Sequence, residues 1–145
     1  MSEAILRGKE ALCGYIPQRE PIVMVDMLYE VSADDAKTGL TVDGECFLVK
    51  DGMLLDGGMV EHIAQSEALH IGYEAVNSGK AVPIGLIGSV NKLKIYRRPK
   101  VGEEMQTTLH VEARVGDVTL VSAVVRVGDE TIAETKMKLA TPASE

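Results

Sequence analysis

Gly57-Gly-Met-Val-Glu-His-Ile-Ala-Gln-Ser-Glu-Ala-Leu-His-Ile-Gly-Tyr-Glu-Ala-Val-Asn77 is the stretch on which the fold turns. Its apolar residues Met59, Val60, Ile63, Ala64, Ala68, Leu69, Ile71, Gly72 and Ala75 spread around most of a helical wheel instead of forming one stripe. A helix apolar nearly all round is a buried helix. Gly57, Gly58, Ala64, Ser66, Ala68 and Gly72 keep it slim. At a rise of ~1.5 Å per residue, 57–77 makes a rod about 30 Å long, enough to cross a small domain.

The flanking sequence has a different period. From Met105 onward, Thr107, Leu109, Val111, Ala113 and Val115 alternate with Gln106, Thr108, His110, Glu112 and Arg114, the pattern of a half-buried strand. Gly116-Asp117 and Gly128-Asp129 then predict two tight hairpin turns leading into strands at 118–127 and 131–140. Residues 83–97 and the run Ile22–Val31 also read as strands, with a turn at Asp34-Asp35 and a further strand over 37–42. Residues 2–12 predict a short helix, with Ser2 as N-cap and Gly14 as stop. Pro17 and Pro21 hold the passage after it extended. One buried helix among about six strands predicts an α+β hotdog fold, an antiparallel sheet wrapped around one long central helix. With 145 residues and no linker-like tract, the expectation is a single domain over 1–145.

Composition narrows the partners. A net charge of −7 argues against nucleic acid. No apolar run approaches the ~18 residues of a membrane span, and residues 1–14 do not resemble a secretory leader. Cys13 and Cys46 show no metal or redox spacing, so a cytoplasmic setting is expected, with a disulfide between them left open. No metal-ligand cluster, phosphate loop or nucleophile triad is legible, and no cofactor is expected. Lys92, Lys94, Arg97, Arg98 and Lys100 gather five of fifteen positive charges, either as a solvated strand end or as a docking patch for an acidic partner.

Glu61 is the informative titratable residue. A carboxylate in the first turns of a buried helix, between Val60 and Ile63, is costly without a partner or a purpose. Burial there would raise its pKa toward a range useful for proton transfer, whereas a plain acid near a helix N-terminus is the bland alternative. Gly57 and Gly58 would let a thioester carbonyl approach the unpaired N–H groups of the helix start. His62 diverges from Glu61 by ~100° around the helix. His70 is expected to be packed or dimer-facing, and His110 exposed on its strand.

Three segments carry a family resemblance. Ile16-Pro-Gln-Arg-Glu-Pro-Ile-Val-Met-Val-Asp26 resembles an L-P-H-R-x-P-x-L-L-V-D segment, and Glu61-His-Ile-Ala-Gln65 resembles E-A-M-A-Q. Gly85-Leu-Ile-Gly-Ser-Val-Asn-Lys-Leu-Lys-Ile-Tyr-Arg-Arg-Pro99 with Val101-Gly-Glu103 resembles a strand followed by an R-P-x-x-P-G-D turn. Together, over roughly 12–140, they resemble the 3-hydroxyacyl-[acyl-carrier-protein] dehydratases, the FabZ-like branch of the hotdog superfamily. The resemblance implies elimination of water from a 3-hydroxyacyl thioester of acyl carrier protein or coenzyme A, at a site shared between two chains. It places the catalytic carboxyl group at Glu61 and puts Gly57, Gly58 and Gln65 around the substrate. It also places Gln18 where the first segment's histidine would stand. A carboxamide binds and orients but cannot take a proton near pH 7. The G-H-F-P-G loop is replaced by Leu48-Val-Lys-Asp-Gly-Met53, and Asp56 stands where a glycine is usual.

Three readings follow from the resemblance. The first is a dehydratase that recruits another base or pairs with a histidine-bearing subunit. The second is a hotdog thioesterase using Glu61 and Gln18, and the third is a non-catalytic acyl-binding subunit. The unpaired edge of a lone sheet predicts a homodimer or larger assembly, with a heterodimer as the variant that supplies the base. Shorter members of the family include subunits from aryl-polyene and related lipid clusters.

Overall fold

The period-two segments pair as a meander. In a computed structural model that describes residues 3–83 and 86–140, β7 (Glu104–Val115), β8 (Val118–Val127) and β9 (Glu130–Ala140) are neighbouring antiparallel strands. Gly116 and Gly128, each at φ 58°, turn the chain between them. This left-handed conformation is one that glycine adopts at no steric cost, as two-residue hairpins require. β6 (Leu86–Ile95) pairs with β9 and forms one edge. β3 (Asp35–Thr41) pairs with the other side of β7, followed by β2 (Met27–Val31) and the short β1 (Leu6–Arg7). The seven strands run β1-β2-β3-β7-β8-β9-β6, and α2 (Asp56–Asn77) lies against them, as the hotdog reading requires.

The alternation along β7 holds only to Val111. A bulge between Val111 and Ala113 slips the register, and Val115, read as inward-facing, is 74% exposed. The N-terminal expectation is also corrected. Only Lys9–Leu12 is helical (α1), because Leu6 and Arg7 pair with Leu28 and Met27 in β1. Ser2 lies outside the described residues, as do Ile84 and Gly85 of the segment read as a strand over 83–97. The run Ile22–Val31 is a strand only from Met27. The stretch 48–54 contains a two-stranded hairpin, β4 (Val49–Lys50) and β5 (Met53–Leu54), turned by Asp51 and Gly52, both at positive φ.

Two apolar clusters sandwich α2. Met59, Ile63 and Ala64 pack with Leu109, Val121, Val125 and Met137 of the sheet. Ala68 and Leu69 pack with Leu12, Ile16, Val23, Val25 and Leu28 of the N-terminal segment. That segment crosses the helix at Gly72, where a Cβ would stand 1.7 Å from the Tyr15 carbonyl oxygen. The helix is buried all round over residues 62–70, but not because it is apolar all round: His62, Gln65, Ser66, Glu67 and His70 are buried with the rest. Ser66 accepts from Thr38 at 2.7 Å, and the other four polar side chains find distant or local partners. Among the described residues, no helix is long and apolar enough to cross a membrane.

Candidate functional site

Glu61 sits one turn into α2 and is half-buried, not enclosed as the sequence suggested. Its Oε1 accepts from Gln65 Nε2 at 2.9 Å. Gln65 is fully buried, and its orientation follows from its surroundings. The Met24 N–H must meet an acceptor, so Oε1 faces it at 2.6 Å; the Ile22 carbonyl must meet a donor, so Nε2 faces it at 2.7 Å. Both amide protons are therefore spent, one on Ile22 and one on Glu61. Side chains of α2 thus take the Ile22 carbonyl and both backbone groups of Met24, whereas the Asp26 N–H already reaches Gly39 of β3 at 2.9 Å.

Of the two glycines before Glu61, Gly57 has open space where a Cβ would be. Gly58 is buried, and a Cβ there would meet Leu54 Cδ1 at 2.5 Å. Its N–H donates to the Leu55 carbonyl at 2.9 Å. Asp56, at the helix start, receives Arg98 Nε at 2.8 Å, a favourable place for a carboxylate. Gln18 lies in the N-terminal segment, half-buried; among the described residues its buried Oε1 accepts no hydrogen bond, and none joins it to Glu61.

None of the three histidines serves Glu61. His62 is fully buried; its Nδ1–H donates to the Met24 carbonyl and its Nε2 accepts from Thr107, both at 2.7 Å. Burial brings its pKa down to about 4, against a smaller opposing effect of the Met24 carbonyl. His70 lies between Glu67 Oε1 at 2.8 Å and the Ser32 carbonyl at 2.7 Å. Burial opposes its charge, but the Glu67 carboxylate and the carbonyl outweigh this and raise its pKa. His110 is exposed beside Asp35. Cys13 and Cys46 are free thiols, and no group of three or more His, Cys, Asp or Glu among the described residues converges as metal ligands.

The two buried histidines act oppositely on stability. Because His62 is depressed from 6.5 to about 4, the unfolded chain binds a proton in that window that the native chain refuses. Its contribution is therefore lost as pH falls from about 6.5 toward 4, by about 3 kcal/mol. His70, raised, favours the native state below about 6.5 and loses that effect as pH rises through its folded value. Urea unfolding across this range should show a steep acid limb that His62→Gln, which retains a donor and an acceptor, flattens relative to wild type. An unchanged limb would remove His62 from the account.

The basic segment looks different in three dimensions. Arg97 bonds Glu103 at 2.9 Å and Glu130 at 3.0 Å, and Arg98 takes Asp56. Arg97, then the Lys100 N–H, holds the Glu103 carboxyl down at about 2. Acids thus offset the two arginines, leaving Lys92, Lys94 and Lys100 as the part of any docking patch without a side-chain ion pair among the described residues.

A cavity of about 410 Å³ lies beside this site, between the N-terminal segment, β3 and the loop before β4. No sequence signal pointed to it, because its walls come from four separate stretches. Phe47, the chain's only phenylalanine, stands at its rim and is 60% exposed.

Comparison with known proteins agrees with the geometry. The family model described as ApeP-like, ApeP dehydratase, matches residues 11–145. A solved chain of the dehydratase heterocomplex ApeI:P from Xenorhabdus doucetiae superposes with TM-score 0.85 at 15% identity, covering 92% of this chain and 91% of that one. A hypothetical thioesterase with coenzyme A from Streptococcus pneumoniae gives TM-score 0.65 at 7% identity, covering 81% and 86%. Zebra fish thioesterase superfamily member 2 gives 0.66 at 14%, covering 87% and 88%. At these identities the structures speak for the fold. Among curated proteins, none matches the sequence.

Proposed function

Belonging as it does to the ApeP-like dehydratase family, the chain handles acyl thioesters, and we propose that it supplies Glu61 as the carboxyl group of a 3-hydroxyacyl-thioester dehydratase site completed by a second subunit. The model that matches is the ApeP-like dehydratase one, and dehydratase chemistry is common to it and to the FabZ-like branch read from the sequence. One observation carries the proposal. Gln65 fixes one oxygen of Glu61 and leaves Oε2 to act, while every imidazole in the chain is committed elsewhere.

Dehydration needs a base for the α-proton and an acid for the departing hydroxyl. This chain offers the second and not the first, so a histidine-bearing partner completes the pair. The solved heterocomplex of a similar dehydratase chain supports such a partnership. Gln18, whose acceptor meets no donor among the described residues, faces the partner or the substrate and orients without transferring a proton. Gly57 leaves room for the thioester to reach the helix start. β6, the edge strand that follows α2, is the pairing edge for a homodimer or heterodimer. The carrier is acyl carrier protein or coenzyme A, and the setting is cytoplasmic.

The second reading is hydrolysis by Glu61 with Gln18, favoured by the half-exposure of Glu61 to water. Parallel assays separate the two: absorbance of the enoyl thioester and release of free thiol, run on the chain and on Gln18→His. The proposal expects little enoyl product from the chain alone, a gain with Gln18→His, and no thiol release. Rapid thiol release that vanishes with Glu61→Gln would replace dehydration by hydrolysis.

A further inference from the structure

The middle of α2 buries an acid and a base that the proposed site does not use. Glu67 is fully buried and His70 is 2% exposed. His70 Nδ1 stands 2.8 Å from Glu67 Oε1, and its Nε2 stands 2.7 Å from the Ser32 carbonyl oxygen in the β2–β3 turn, residues 32–34. Glu67 Oε2 is buried with no hydrogen-bond partner among the described residues. At ~1.5 Å per residue, His70 lies about 13 Å along the helix from Glu61, so the pair is a separate feature.

These contacts fix a proton count by geometry. A carbonyl oxygen only accepts, so Nε2 must carry hydrogen to bond Ser32. An ionised carboxylate also only accepts, so a second proton must lie between Nδ1 and Oε1. A neutral imidazole has one N–H, not two. The arrangement therefore holds one proton more than a neutral histidine beside an ionised glutamate would carry. Burial opposes charge on His70, yet the Glu67 carboxylate and the Ser32 carbonyl outweigh it, so the ring titrates above the ordinary value of about 6.5.

Loss of that proton acts in one direction. The remaining hydrogen goes to the stronger acceptor, the carboxylate, whose buried charge leans on the imidazole alone. Nε2 is then a lone pair 2.7 Å from the Ser32 carbonyl oxygen, and two acceptors at that distance repel. The neighbouring charges do not replace the lost bond. Glu74 of α2 and Arg114 of β7 line, with Ala33, His70 and Ile71, a hollow of about 280 Å³. Arg114 is occupied by Asp34 at 2.7 Å and the Ala33 carbonyl at 2.6 Å, and His110 by Asp35 at 2.8 Å. Those contacts hold the turn to β7. Among the described residues, the His70 bond is the one hydrogen bond from α2 to this turn.

We propose that Glu67 and His70 form a proton-held clasp between α2 and the β2–β3 turn, closed while the pair keeps its second proton and released as pH rises. The clasp is complete below about 6.5 and is lost as pH climbs through the raised value of His70. Release lets the turn swing on its β7 contacts and admits water to the hollow beside Ile71.

The test is nuclear magnetic resonance on the whole chain from about pH 6 to about pH 9, a range that brackets histidine titration. The ring nitrogens of His70 report protonation, and Overhauser contacts from its ring protons to Ser32 and Ala33 report closure. Glu67→Gln supplies an amide N–H to Nδ1 while Nε2–H keeps Ser32, so the same two bonds form with a neutral ring and no second proton. Wild type should show both nitrogens protonated at the acid end, then lose the Nε2 proton and the contacts to Ser32 together. Glu67→Gln should keep hydrogen on Nε2, and the contacts, across the whole range. A wild-type ring that is neutral at the acid end, or contacts that persist after the Nε2 proton has gone, would overturn the clasp without any variant. Loss of the contacts in Glu67→Gln at the same pH as in wild type would overturn it too, by placing the release in another group.

Discussion

Gly72→Ala is expected to lose about 3 kcal/mol of stability, a large share of the roughly 5–15 kcal/mol that keeps a domain folded. The added methyl would sit 1.7 Å from the Tyr15 carbonyl oxygen and 2.8 Å from its carbon. Both are backbone atoms, so no rotamer change relieves the overlap. The N-terminal segment would have to lift from α2, opening the cluster of Leu12, Ile16, Val23 and Leu69. Gly57→Ala, in the same helix, should do the opposite. Open space surrounds its Cβ position, and alanine in a helix gains roughly 0.5–1 kcal/mol over glycine. Urea titrations of the two variants should shift in opposite directions. A neutral Gly72→Ala would mean that the close crossing is not what seats the N-terminal segment.

Glu61→Gln is expected to lower turnover by roughly 10²–10⁴, the usual contribution of a positioned proton-transfer group. The carboxamide keeps the shape and can still accept from Gln65 through its oxygen, so the fold should be preserved. What disappears is a group that can hold and release a proton. Gln65 itself should not tolerate replacement by leucine, which would leave the Met24 N–H, the Ile22 carbonyl and Glu61 without their partner. We regard Gln65 as a residue that positions Glu61 rather than one that meets the substrate.

What the sequence made legible is what depends on local pattern. The helix was expected over 57–77 and runs Asp56–Asn77, and the alternation from Met105 gave a strand up to the bulge after Val111. Glu61 and Gln65, one turn apart, were legible as neighbours, and they touch. Features made by chain crossing were not. Leu6 is in a strand only because Leu28 lies beside it, and the backbone at Ile22 and Met24 finds its partners in side chains of α2 some forty residues on. The charges of Arg97 and Arg98 read as free because Glu130 and Asp56 are far away in sequence. Nor was it legible that buried hydrogen bonds of His62 and Gln65 tie the helix to the sheet and to the N-terminal segment.

The most direct measurement is formation of the enoyl thioester from a 3-hydroxyacyl thioester by this chain mixed with a histidine-bearing dehydratase subunit, using wild-type chain or Glu61→Gln. The account predicts turnover that requires both subunits and falls at least about a hundredfold with Glu61→Gln, while the assembly still forms. Full turnover by the assembly containing Glu61→Gln, or by the wild-type chain alone, would contradict it.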